Sequence, residues 1–173
     1  YVRQIIADRQ TQKQDLNINP TGTLLTYSAK KLDEKDWFLR VKDLKTGKTF
    51  DHVVASRNIL VPVWLNASTL IFQQWQYDSC SYQTVEFSMG SGFALPKHIA
   101  DCNPNVSANT IAVLNENTVL ISDSSAVDFP FSIYQLDLAT AQKTMVKQSS
   151  GMGNGVYKIV TSPDSRSIAT LET

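Results

Sequence analysis

An apolar anchor returns along this chain at a nearly constant interval, and that repeat restricts the fold more than any other feature. Each anchor follows a turn by five residues. Pro20 precedes Leu25 in "NPTGTLLTYS", Leu65 precedes Leu70 in "WLNASTLIFQ", Leu114 precedes Val119 in "LNENTVLISD", and Pro163 precedes Ile168 in "TSPDSRSIAT". Leu25, Leu70, Val119 and Ile168 are 45, 49 and 49 residues apart. A second mark keeps the same period: Gly47, Gly90 and Ala141 lie 22, 20 and 22 residues after the first three anchors. Asp43-Leu44 and Asp137-Leu138 both begin 18 residues after theirs.

Within each unit the periodicity is that of strands. "LLTYSA", "FLRVKDL", "LIFQQW", "SYQTVEF", "VLISD" and "FSIYQLDL" are rich in β-branched and aromatic residues, with stretches of alternation. Asn-Pro-Thr-Gly, Lys-Thr-Gly-Lys and Ser-Pro-Asp-Ser supply turn chemistry. No segment carries a sustained helical pattern. An antiparallel sandwich also spaces its strands at roughly 8–12 residues, but it leaves the long repeat unexplained. Units of this length with four short strands each match propeller blades. The expected fold is all-β: a partial β-propeller in a single domain spanning residues 1–173. Its complete blades are expected at about 9–60, 61–108 and 109–156, with part-blades at 1–8 and 157–173. "YVRQIIAD" reads as the outer strand of one part-blade, and Thr161 to Thr173 as inner strands of the other. Propellers close with 4–8 blades, so the chain is expected to be a piece of a longer protein. Its open blade faces and strand edges are expected to associate with the remaining blades, a second copy or a protein partner.

Composition narrows the function classes. Sixteen basic and 16 acidic residues give a net charge of zero, without the basic excess of a nucleic-acid-binding surface. At 42% hydrophobic and 18% charged residues, the chain has the composition of a folded rather than a disordered protein. Its longest apolar run, Ile59 to Leu65, is far short of the ~20 residues that span a bilayer.

Cys80 and Cys102 are the two cysteines. Between them "CSYQTVEFS", "MGSGF" and "ALPKHIADC" read as strand, turn and strand. Centred on Ser91, this hairpin places each cysteine 11 residues from its middle. Antiparallel pairing then sets the two side chains opposite each other, within bridging range. The reading is a disulfide, which implies an oxidising compartment; the alternative is a pair of buried thiols.

Other chemistry is sparse. Gly-x-Ser-x-Gly and His-x-x-x-His patterns are both absent, so no catalytic, metal or cofactor site is expected. His52 and His98 read as residues on strand surfaces. "GMGNG" (Gly151 to Gly155) precedes a strand rather than the helix a phosphate cradle needs, and reads as a loop at the propeller's mouth. Asp33, Glu34 and Asp36, with Lys30, Lys31 and Lys35, form a solvated hairpin tip. Asp123 and Asp128 flank a loop without the alternation of a calcium loop. Asn66-Ala67-Ser68 and Asn105-Val106-Ser107 fit the glycosylation acceptor pattern. Trp37, Trp64, Trp75, Tyr77 and Phe129 are expected mainly to fill wedges between blades, with an axial ligand surface as the other possibility.

"TSPDSRSIAT" resembles the Ser-Pro-Asp-Gly-x-x-Ile-Ala signature of TolB-like propeller repeats. "NPTGTLLTYS" is a looser version, and "VKDLKTGKT" and "QLDLATAQKT" resemble the Asp-Leu-x-Thr-Gly turn of those repeats. Ser165 and Ala141 replace glycines of the pattern, and the second and third units lack Pro-Asp. The opening "VRQIIAD", the cysteines in "CSYQTVEF" and "ADCNPN", "FPFSIYQLDLAT" and "GNGVYKIVTSPDSRSIA" are together similar to the periplasmic part of CadC/ToxR-type membrane-anchored transcription regulators. That resemblance implies a non-enzymatic sensory or interaction domain in the periplasm, responsive to a small molecule or pH. DNA and the membrane would be met only through segments outside this chain. The other implied roles are the propeller gate of a prolyl-oligopeptidase-like serine hydrolase and a TolB-like adaptor for envelope proteins.

Overall fold

The strand-like runs fold into antiparallel sheets, and the second and third are packed on both faces, which is why their central runs are apolar at consecutive positions. The computed structural model describes residues 10–56, 61–76, 78–102, 110–123, 132–148, 156–162, 164 and 166–172. The first sheet holds β1 (Thr11–Ile18), β2 (Leu24–Lys31), β3 (Trp37–Asp43) and β4 (Thr49–Ser56) in chain order. The second holds β5 (Val63–Trp64), β6 (Thr69–Gln76), β7 (Ser79–Ser88) and β8 (Gly92–Phe93), with β9 (Lys97–Cys102) also paired to β7. The third holds β10 (Ile111–Asn115), β11 (Thr118–Asp123), β12 (Ser132–Asp137) and β13 (Lys143–Gln148). A fourth sheet pairs β14 (Val156–Thr161) with β15 (Ile168–Glu172). No helix occurs among the described residues. The sequence reading of 1–8 as a strand lies outside them.

The first three anchors share one register position. Leu24 pairs with Asp43, Thr69 with Glu86 and Thr118 with Asp137, and each anchor is the next residue along. Successive strand side chains point to opposite faces, and the clusters follow that rule. Leu70 packs with Leu24, Leu39 and Val41 of the first sheet. Its neighbour Ile71 packs with Val119, Ile121 and Leu136 of the third. Val119 thus faces the second sheet, while Leu120 joins Ile133 of its own sheet and Ile159 of the fourth. The repeat is therefore a stacking rule, in which each unit offers one apolar row to the sheet before it and another to the sheet after. Successive inner strands touch, β1 with β5, β5 with β10 and β10 with β14. The sheets thus splay from a common line, the arrangement of propeller blades.

The shared Asp-Leu turn has a physical cause. Asp43 accepts hydrogen bonds from the Lys45 N–H and the Thr46 hydroxyl, and Asp137 accepts them from the N–H groups of Ala139 and Thr140. These bonds favour the carboxylate forms and hold both acids below the usual range, Asp43 chiefly through Thr46 and Asp137 through Thr140. Three residues of turn later, Gly47 (φ 79°) and Ala141 (φ 60°) both adopt the left-handed conformation. Only glycine takes it without steric cost. Ala141→Gly is expected to raise stability by about 0.5 kcal/mol or more, and Gly47→Ala to lower it by about 1 kcal/mol. A Cβ built at Gly47 meets nothing within 4 Å, so the cost there is conformational. Urea titrations showing the same sign for both variants would refute the equivalence.

The second unit departs from this pattern. Glu86 stands at the position of Asp43 and Asp137, and the left-handed glycine is Gly92 (φ 76°), not the Gly90 that spacing picks out. The hairpin is also less regular than its symmetry about Ser91. Phe87 pairs with Phe93, Thr84 with Lys97 and Cys80 with Cys102. The centre thus drifts by one residue along the ladder, and the outer strand is broken between β8 and β9.

Candidate functional site

The four inner strands converge on an axial groove of about 440 Å³. β1 contributes Asp15, Leu16 and Asn17, while β5 and the residues before it contribute Val61 to Trp64. β10 with the preceding Thr110, and β14, complete the wall. Because each inner strand is the edge of its sheet, four strand edges line one opening.

Two backbone irregularities fall on this groove. The β1–β2 register shifts between Gln14 and Asn17, a bulge that re-aims side chains at the rim. Within it Asp15 takes φ 53°, and just before the neighbouring inner strand β5 Val61 takes φ 44°. An aspartate tolerates that region, but a β-branched residue rarely enters it. Burial raises the Asp15 pKa above its ordinary value, and the positive charge of Lys158 partly offsets this. Asp15 and Lys158, the charged groups of the wall, come from opposite ends of the row of inner strands.

The residues singled out by sequence are scattered elsewhere. Cys80 and Cys102 are joined by a disulfide on paired positions of β7 and β9, with Cα atoms 4.9 Å apart. The Gln73 side-chain amide donates to both sulfurs, at 3.1 and 3.2 Å. Trp37 and Trp64 are buried in the wedge between the first two sheets, and Trp64 also reaches the groove wall. Trp75 is half-buried, and Tyr77 and Phe129 lie outside the described residues. His98 is exposed and 3.0 Å from Asp101. His52 is not a surface residue of the expected kind. Its ring packs against Phe93 and Phe72, at centroid distances of 5.1 and 6.5 Å, and burial lowers its pKa. Sequence alternation misplaced it because this face of β4 meets the second sheet.

The hairpin tip is exposed, with Lys31 2.6 Å from Glu34. Asn66 uses its side-chain oxygen to accept from the N–H groups of Ser68 and Thr69. The 151–155 loop, Asn105 and Asp128 are outside the described residues, and Asp123 is described in its backbone alone. Among the described residues no group of three His, Cys, Asp or Glu side chains comes together to hold a metal. Sequence reasoning missed Asp15, Val61 and Lys158. "TQKQDLNI" and "VYKIV" carry no motif, and the residues meet only when distant strands converge.

No family model and no curated protein matches the sequence. Among solved structures, the chain is similar to TolB from Acinetobacter baumannii, with a TM-score of 0.74 at 13% identity over 96% of this chain and 39% of that one. The fold is the TolB-like β-propeller. The chain is similar also to an oligogalacturonate lyase in complex with manganese, with TM-score 0.62, 12% identity, and 92% of this chain against 46% of that one. It is similar as well to Chaetomium thermophilum Sqt1 bound to the N-terminus of the ribosomal protein L10, with TM-score 0.56, 14% identity, and 90% of this chain against 41% of that one. The chain thus spans less than half the length of each of these three structures.

Proposed function

We propose that this chain is a non-enzymatic sensory and interaction domain of the bacterial envelope, lying in the periplasm as part of a membrane-anchored transcription regulator of the CadC/ToxR type. The observation that carries the reading is the axial groove, where four strand edges and two opposite charges meet on a rigid stack of sheets. Sheets packed face to face through shared apolar clusters hold such a surface in fixed geometry, which suits recognition. Binding of a peptide terminus by Sqt1, on a similar fold, supports a contact role. The Cys80–Cys102 bond supports an oxidising compartment, and the membrane-anchored context rests on the resemblance of short stretches such as "CSYQTVEF" and "ADCNPN" to CadC/ToxR-type regulators. DNA and membrane contacts belong to other segments of the protein, and no cofactor enters the reading. A signal would pass as a change in how neighbouring domains associate.

The whole reading frame tests this. An alkaline-phosphatase fusion placed after Thr173 is expected to be active, because that reporter matures only in the periplasm. A winged-helix segment and an apolar stretch of about 20 residues are expected upstream. An inactive fusion, or a Gly-x-Ser-x-Gly hydrolase domain downstream, would overturn the reading.

A further inference from the structure

Asp15 and Lys158 line one groove from its two end strands, and no ion pair joins them among the described residues. A carboxylate and an ammonium group sharing a concave wall, without neutralising each other by contact, form a dipolar receptor. Leu16, Val61, Val63 and Val160 share the wall with them, beside polar Asn17 and Thr110. Leu16 and Val160 are each more than half exposed, so apolar surface is available at the groove. Its volume of about 440 Å³ lies inside the range of roughly 300–1,000 Å³ typical of small-molecule sites.

We infer that the axial groove binds a small zwitterion with an apolar body, its ammonium group on Asp15 and its carboxylate on Lys158. This deepens the proposed sensory role and rests on it. Charge complementarity fixes the orientation: an acid alone or an amine alone would satisfy one pole and leave the other facing its own sign or nothing. The backbone agrees. The β1 bulge aims Asp15 at the groove, and Val61 is held at φ 44° on the same wall. Strained positions of this kind persist where the surroundings impose them, and they gather at binding sites. A free apolar amino acid and a short apolar peptide share the required chemistry and differ in the distance between their charges.

Calorimetric titration of the 173-residue chain tests the inference, with leucine and leucyl-leucine as probes. Isocaproate lacks the ammonium group and isopentylamine lacks the carboxylate. One of the two zwitterions is expected to bind, with both single-charge analogues weaker by about tenfold or more, the usual weight of one charge-assisted contact. The tighter of leucine and leucyl-leucine assigns the charge spacing. Asp15→Asn and Lys158→Met are each expected to weaken that binding by about tenfold, with unchanged circular dichroism. Absence of heat from both zwitterions at millimolar concentration would overturn the inference. Analogues binding as tightly as the zwitterions would do the same. The analogue comparison needs no variant, so it decides even if a variant misfolds. A silent groove leaves the topology test of the parent reading untouched, and an inactive topology fusion leaves the titration readable.

Discussion

Phe72→Ala is expected to lower the unfolding free energy by about 3–5 kcal/mol, the usual range for emptying a fully buried aromatic site. Phe72 has no exposed surface. It lies in the wedge between the first two sheets with Leu39, Leu70, Val85 and Phe87, and its ring meets the His52 ring edge-on. Each sheet is held by paired strands, β2 to β3 and β6 to β7, so the walls cannot slide in to refill the space. Cavity cost then adds to lost transfer energy. Against a total stability of about 5–15 kcal/mol for a domain, this is a large fraction. For a chain of this size it corresponds to a melting temperature lower by roughly 6–20 °C. Leu171→Ala, at a position 61% exposed, is expected to stay within about 0.5 kcal/mol. Chemical denaturation of both variants measures the contrast. A loss below about 1 kcal/mol for Phe72→Ala would mean that this wedge is not packed as described.

The wedges were legible in sequence because they generate the repeat. Leu25, Leu70 and Val119 recur since each occupies the same register position on the second strand of its sheet. Asp43 and Asp137 recur because one carboxylate organises the same turn twice. Where a unit solves the same problem with other residues, the signal fades. Asn19 accepts from the N–H groups of Thr23 and Leu24, Asn66 from those of Ser68 and Thr69, and Asn115 from that of Asn117. Ser162 plays a similar part for the Ser167 N–H. In sequence a proline follows Asn19 and Ser162, whereas Ala67 and Glu116 follow Asn66 and Asn115. The shared device is a side-chain oxygen closing the turn, which a search for Pro-Asp does not find. The groove was illegible for a different reason. Asp15 owes its position to a bulge and Lys158 to convergence of the first and fourth sheets, and neither leaves a local pattern.

Removing the disulfide by Cys80→Ala with Cys102→Ala is expected to cost roughly 3 kcal/mol, the loop-closure value for a separation of 22 residues. The loss should concentrate on β9. Among the described residues that strand pairs with β7 alone, its ladder carries a register shift between Tyr82 and Gln83, and a break containing the 93%-exposed Leu95 precedes it. The covalent link therefore pins the far end of a strand whose near end is interrupted. Without it, opening of β9 would uncover Ile99 and Ala100, which help close the wedge to the third sheet, and would strip both sulfur contacts from the Gln73 amide. Local opening of this kind appears in amide hydrogen exchange before global unfolding does. The expected sequence is early loss of protection from Lys97 to Cys102, with β6 and β7 still protected, and a lower denaturant midpoint. Reductant should shift the unaltered protein in the same direction and leave the double variant where it is. Two free thiols in denatured, never-reduced protein would show that the bond is absent in solution. A midpoint indifferent to both the variant and the reductant would show that β9 holds without it.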